Sequence, residues 1–320
     1  LKFYKRALWD RMVPLIPRRI APNLITIMGQ IAAVLGVALA AVGTMGYPFL
    51  YVVSAFCWLA YLTADNIDGP HARRTGQTSV LGEFLDHGLD GLANGCLLIT
   101  AALVLQMEGI WMGLFLAVGA VGFIVTFWEQ YRTERLVLPE LSSAEGITVV
   151  AVIEILAFLF REPTWLRFDF SGMNLSVAIM ILVLIGYAIA IVSPLWRARK
   201  AGARPLEIIQ PVLVTAALCG LIALGSPPLA PSITIGLFGA DVVCRMIRLR
   251  HRGEQRGVLA PYHWFFVVPP LLAAAFPSAW TPEGWAVVAV VFGILAYTRT
   301  VLVSGFELVA VSESAEGAAS

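Results

Sequence analysis

The sequence predicts an all-α, polytopic integral membrane protein with about ten transmembrane helices. Three observations lead there. Of 320 residues, 59% are hydrophobic and 13% charged, with a mean hydropathy of +0.81; soluble domains carry about 25% charged residues. The apolar residues gather into stretches near the ~20 residues that cross a bilayer as a helix. The basic residues recur in alternate gaps between those stretches, as they do when one membrane face is cytoplasmic.

In chain order the predicted spans are 22–43, 47–64, 88–107, 109–128, 146–160, 173–193, 207–225, 229–244, 258–276 and 284–306, the fifth and eighth being short. Before the first, residues 1–20 are basic and lack the continuous apolar run of a cleavable signal peptide. Phe3, Tyr4, Leu8, Trp9 and Val13 recur there at roughly helical spacing among Lys and Arg, which suits an amphipathic helix lying in the interface on anionic lipid. Basic residues cluster before the first span, in the 65–87 and 129–145 loops, and around 197–204 and 245–256. Arg161, Arg167 and Arg299 are the exceptions among the 22 Lys and Arg residues. Both termini are therefore expected in the cytoplasm. After Phe306 the Ser, Glu and Ala residues predict a disordered tail, 307–320.

Some function classes drop out. Net charge is +1 and the basic residues are spread along one membrane face, with no aromatic-basic surface for nucleic acid. Cys57, Cys96, Cys219 and Cys244 lie apart in apolar stretches, without C-x-x-C spacing, so neither a disulfide framework nor a zinc site is indicated.

The chemistry concentrates in "DNIDGPHARRTGQTSVLGEFLDHGLD", Asp65 to Asp90. Asp65 and Asp68 are three residues apart and share a helix face; Asp86 and Asp90, four apart, share another. Both pairs are expected at the cytoplasmic mouths of their helices. Between them Gly69, Pro70, Thr75, Gly76, Thr78 and Ser79 form a turn-rich stretch that lets the chain reverse and bring the pairs face to face. Four carboxylates at a low-dielectric boundary repel one another, and Arg73 and Arg74 are the cations at hand in sequence. Hard oxygen ligands at this spacing suit Mg²⁺, Mn²⁺ or Ca²⁺ rather than zinc. Two bridged divalent ions would make a place for a diphosphate.

The stretch reads D-x-x-D-G-x-x-A-R-x(8)-G-x(3)-D-x(3)-D, matched at Asp65, Asp68, Gly69, Ala72, Arg73, Gly82, Asp86 and Asp90. It resembles the signature of the CDP-alcohol phosphotransferase family at every defining position. The resemblance implies a membrane enzyme that moves a substituted phosphate from a CDP-linked donor to an alcohol and releases CMP. It implies two divalent cations, Mg²⁺ first and Mn²⁺ as the alternative, held by Asp65, Asp68 and Asp86 and partly by Asp90, with Asp90 as the catalytic base. Gly69, Ala72 and Gly82 would admit the nucleotide, and Arg73 would meet phosphate or anchor to lipid headgroups. Asn23, after Pro22, caps the first helix or bonds the donor phosphate.

"ARRTGQTSVLGEFLDHGLD" and "RIAPNLITIMG" are most similar to the choline and ethanolamine phosphotransferase branch, as is the span count. That implies CDP-choline or CDP-ethanolamine as donor, diacylglycerol as acceptor, membrane lipids as surroundings, and a homodimer. A second patch, "FWEQYRTE" at 127–134 and "SSAEG" at 142–146, keeps that branch's Trp128, Glu129, Tyr131, Thr133, Glu145 and Gly146, but has Gln130, Arg132 and Glu134 where Glu, His and Gly are usual. Arg cannot act as a base at ordinary pH, so Asp90 is expected to carry more of the proton transfer, or the acceptor differs. Glu129, Glu145, Trp128 or Tyr131 could meet a cationic head group; anchoring at the interface is the plainer role for them. His71 and His87 flank the aspartates as supporting groups, and His251 and His263 have no assigned role.

The expected organisation is an interfacial segment at 1–20, a catalytic membrane core at 21–206, additional C-terminal transmembrane helices at 207–306, and the tail. Two other functions compete: transfer of a phosphatidyl group from CDP-diacylglycerol to a small alcohol such as inositol, serine or glycerol phosphate, and secondary transport coupled through intramembrane carboxylates. Transport is disfavoured by aspartates gathered at one face rather than at the midplane.

Overall fold

A computed structural model describes residues 8–135, 137, 143–160, 169–170 and 173–319, with backbone alone at 143, 169–170, 173–176 and 311–319. Phe3, Tyr4, the basic residues before Leu8, Ser142, Arg161 and Arg167 lie outside the described residues. The helices are α1 (Pro22–Gly43), α2 (Phe49–Thr75), α3 (Val80–Val104), α4 (Gly109–Thr133), α5 (Ser143–Leu159), α6 (Leu175–Lys200), α7 (Leu206–Ala223), α8 (Leu229–His251), α9 (Val268–Ala275) and α10 (Pro282–Ala319). A 3-10 stretch, Pro261–Val267, leads into α9, and Asp169–Phe170 pairs antiparallel with Met173–Asn174.

All ten apolar stretches are helical, and eight are long and apolar enough to cross a bilayer. The other two fall short in length: α5 has 17 residues, and α9 has 8 after the 7-residue 3-10 stretch. Each covers roughly 26 Å along its axis. Helix boundaries differ most from expectation around the aspartates. The second helix runs on to Thr75 instead of ending near 64, and the third begins at Val80 instead of 88. A hydropathy reading stops at the first charges, whereas backbone hydrogen bonding does not. Even Pro70 is carried inside α2, following Gly69, which has no Cβ to meet the proline ring. The true turn is short. Gly76 ends α2 in the left-handed region (φ +72°), and Ser79 caps α3 by accepting the Gly82 backbone N–H.

The tail also differs. Past Phe306 the backbone stays helical to Ala319 in place of a disordered 307–320. Glu307 accepts from Arg252 Nη1 at 2.6 Å and pairs with Arg248 at 3.5 Å, which fastens the emerging turn of α10 to the end of α8.

Two bodies of packing share α3. On one side α1 packs along both α2 and α3, and α5 leans on α2. On the other, α8 packs against α3, α4 and α10. Every residue of α8 from Thr234 to Ile247 is buried, so a helix expected among the additional C-terminal spans forms the axis of the bundle. Small residues allow this. A Cβ on Gly91 would sit 2.9 Å from Ala240 Cα, and one on Gly95 3.0 Å from Gly236 Cα, the close helix approach that Gly-x-x-x-Gly spacing permits in membranes.

Basic residues at the ends of α2, α4 and α8 meet partners at one pole of the bundle. Arg74 donates to the carbonyl oxygens of Pro14 and Ile16, Arg132 pairs with Glu207, and Arg250 with Glu83. The lead-in segment is less peripheral than expected. Trp9 and Val13 are buried in a cluster with Ile67, Ala144 and Ile147, while Leu8 and Leu15 are exposed.

Candidate active site

The four aspartates stand within their helices rather than at the mouths. Counting back from the turn at 1.5 Å per residue, Asp68 and Asp86 lie about 10 Å deep and Asp65 and Asp90 about 15 Å. Because α2 runs toward the turn and α3 away from it, equal depths face each other. Asp65 and Asp90 are thus neighbours across the gap between α2 and α3. Asp68 and Asp86 both line a cleft of about 290 Å³, at the lower end of ligand-sized sites.

Three helices build this cleft. Asn23 and Thr26 come from α1, Asp68, Gly69, Ala72 and Arg73 from α2, and Gly82, Glu83, Asp86 and His87 from α3, with Gln77, Thr78 and Ser79 of the turn closing one end. The backbones of α2 and α3 stay apart, with α1 packed along both, and the gap is what leaves room for a ligand. Asn23 is not a helix cap: the N-cap of α1 is Ala21, without a side-chain bond. It faces the cleft instead, and a Cβ on Gly82 would lie 3.3 Å from its Oδ1.

Hydrogen bonds orient the carboxylates. Asp68, almost fully buried, accepts from Thr26 Oγ1 at 2.5 Å on one oxygen and from the Gly69 backbone N–H at 2.6 Å on the other. Asp90 accepts from the Tyr61 hydroxyl at 2.8 Å, and its second oxygen lies 4.0 Å from His87 Nδ1. One ligand atom from each of Asp86, His87 and Asp90 can be chosen so that all lie within 4.8 Å of one another. A carboxylate-rich set with both Asp68 oxygens already pinned suits a hard divalent cation, which prefers oxygen donors; these residues fit such an ion. Among the described residues, no ion pair is seen to engage Arg73, whose guanidinium belongs to the cleft wall.

Other predicted residues are not brought here. Trp128 Nε1 donates to Glu207 Oε2 at 2.7 Å, and Arg132 grips the same carboxylate through Nε at 3.0 Å and Nη2 at 2.7 Å. Tyr131 donates to the Glu254 carbonyl and accepts from the Arg256 N–H. Glu129 is buried and held by Arg197, with one contact at 2.8 Å. These residues tie α4 to α6, α7 and the chain after α8, outside the cleft. Glu145 sits in the first turn of α5. His71 is fully buried and bonds the Ile20 carbonyl, while His263 meets Asp241 at 2.6 Å within the C-terminal helices. Thr26 and Tyr61 were missed by the sequence reading. Their signals were present: Thr26 follows Asn23 by three residues, and Tyr61 precedes Asp65 by four.

The sequence pattern of the CDP-alcohol phosphatidyltransferase family matches residues 19–192, which hold all of this cleft. The chain belongs to that family. It is 33% identical over 159 residues to choline/ethanolaminephosphotransferase 2 of Arabidopsis thaliana, covering 47% of this chain and 40% of that one. It is 31% identical over 163 residues to a CDP-alcohol phosphatidyltransferase class-I family protein 2 of Dictyostelium discoideum, covering 49% and 40%. A CDP-diacylglycerol–serine O-phosphatidyltransferase of Encephalitozoon cuniculi is 34% identical over 161 residues, covering 46% and 40%. The matches thus span under half the length of these relatives. Family members are membrane enzymes that use divalent metal and join CDP-linked donors to alcohol acceptors. In this member the buried α8 lies beyond the matched region yet backs the aspartate helix α3.

Proposed function

We propose that this enzyme transfers phosphocholine or phosphoethanolamine from the CDP-linked donor to diacylglycerol, releasing CMP. The carrying observation is that six of the eight motif positions, Asp68, Gly69, Ala72, Arg73, Gly82 and Asp86, line one cleft with Asn23 and Thr26, while Asp65 and Asp90 stand deeper on the same two helices; the wording L-G-E-F-L-D-H at 81–87 supports the head-group branch. Relatives named for choline and ethanolamine transfer support the head-group class. We take the basic pole as cytoplasmic, where a water-soluble nucleotide arrives.

Asp65, Asp68, Asp86 and in part Asp90 would hold two divalent cations, Mg²⁺ first. Bound there, they would neutralise the diphosphate and the departing CMP. The chain's own groups do the rest. Asn23 and Arg73 contact phosphate oxygens, Gly69, Ala72 and Gly82 let the nucleotide approach, and Thr26 keeps Asp68 turned inward. The acceptor hydroxyl attacks the phosphorus that bears the head group, the bond from that phosphorus to the CMP oxygen breaks, and the hydroxyl proton passes to Asp90. Lying with Asp65 deeper than the other two aspartates, Asp90 is on the side from which a lipid would enter. Glu129, bound to Arg197, remains a weaker candidate for head-group contact.

The Encephalitozoon relative favours a second reading, in which CDP-diacylglycerol is the donor and a small alcohol the acceptor. CMP release by purified protein with Mg²⁺ separates the two. Product from CDP-choline or CDP-ethanolamine with diacylglycerol supports the first; product restricted to CDP-diacylglycerol with serine, inositol or glycerol phosphate establishes the second. Asp90→Asn is expected to abolish turnover while retaining much of the donor binding, and intact turnover would sink the base assignment.

A further inference from the structure

We propose that Tyr61 is the positioning residue that presents Asp90 to the acceptor hydroxyl. The proposal rests on the reading of Asp90 as proton acceptor. Tyr61 precedes Asp65 by four residues and so lies on the same face of α2, one turn deeper than the carboxylates. Its ring is 6% exposed. Trp58 meets it edge-on, with centroids 6.0 Å apart and planes at 89°. On α1, a Cβ at Gly29 would lie 3.7 Å from the ring. The ring is thus packed between α1 and Trp58, and from there the hydroxyl crosses the gap between the separated helices to donate to Asp90 Oδ1 at 2.8 Å.

Asp90 needs such a partner. Its side chain is 22% exposed in a space where α2 and α3 do not support each other's backbones. A carboxylate with two rotatable bonds samples several directions unless a donor holds it, whereas proton transfer requires one oxygen within hydrogen-bond reach of the acceptor. With Oδ1 engaged by Tyr61, Oδ2 is the oxygen offered on the His87 side. Tyr61 is not among the residues that line the cleft. Its loss should therefore fall on the chemical step, with donor binding little changed and metal binding touched only through Asp90.

The test is Tyr61→Phe in the full chain, which keeps the ring and its packing. CMP release is measured with whichever CDP-linked donor supports turnover, and Mn²⁺ affinity is measured separately by electron paramagnetic resonance titration. A fall in kcat of about 10- to 100-fold is expected, with the KM for donor within about twofold of wild type and the Mn²⁺ affinity lowered by no more than about tenfold. Wild-type kcat would overturn the proposal, as would a loss carried wholly by KM or by Mn²⁺ affinity. Retained Mn²⁺ binding also reports folding; if Tyr61→Phe fails to bind Mn²⁺, Tyr61→Leu is put through the same measurements, and loss of Mn²⁺ binding there too overturns the proposal. Asp90→Asn is run alongside. If it turns over normally, the base reading has failed; if it is dead while Tyr61→Phe is normal, the Tyr61 proposal alone has failed. Adding Tyr61→Phe to Asp90→Asn should cost no further activity.

Discussion

The two long faces of α3 do opposite things. Toward α2 it turns Asp86 and Asp90 into a gap in which the helix backbones stay apart and side chains bridge the space. Toward α8 it turns Gly88, Gly91 and Gly95 against Cys244, Ala240 and Gly236, closely enough that a Cβ on Gly91 or Gly95 would lie within about 3 Å of backbone. One helix is thus open on its chemical side and locked on the other. A reaction dominated by positioning needs both: space for the donor, and carboxylates that do not drift when it binds.

Substitutions on the two faces should therefore fail differently. The largest effect on turnover is expected from Asp86→Ala, at least a 10³-fold fall in CMP release, worth about 4 kcal/mol of barrier, with unchanged thermal unfolding in detergent. A shifted melting temperature would show that the open face also holds the fold. Gly95→Leu should reverse the pattern. Overpacking against Gly236 is expected to destabilise by about 3 kcal/mol, lowering the melting temperature by several degrees, and normal melting would refute the tight contact.

Thr26→Val sharpens the open face without emptying it. Removing the hydroxyl that donates to Asp68 should weaken Mn²⁺ binding about tenfold, readable by titration, while melting stays put. Glu207→Gln probes the remote patch. Weakening its grip on Arg132 and Trp128 at a partly exposed position should cost about 1 to 2 kcal/mol of stability and leave the KM for donor unchanged; a raised KM would bring that patch into the substrate site. Smallest of all is Arg252→Ala, on the exposed rim beside Glu307. Its melting and turnover should match wild type.

Much of the site was legible because its information is local. Helical spacing puts Asp65 with Asp68 and Asp86 with Asp90, and Gly69, Ala72, Arg73 and Gly82 of the motif line one cleft with Asn23. The family patch at 127–134 was harder to read. Trp128, Tyr131 and Arg132 have partners at Glu207, Glu254 and Arg256, more than 70 residues away, so nothing in their neighbourhood distinguishes a head-group cage from a clamp between helices. Tyr61 was obscured in another way, since a tyrosine in an apolar run reads as packing until its hydroxyl is seen to reach Asp90.

Composition, apolar run length and charge alternation, all additive along the chain, were enough to establish a helical membrane protein, its approximate number of helices and its carboxylate pairs. Depth, partnership and enclosure were not. That the aspartates stand 10 to 15 Å inside their helices follows from backbone hydrogen bonds that continue past charged residues. That α8 is the axis of the bundle follows from glycines on two distant segments meeting. The first depends on where a helix ends, which hydropathy does not mark; the second depends on contacts between residues far apart in the chain, which exist only once the helices have packed.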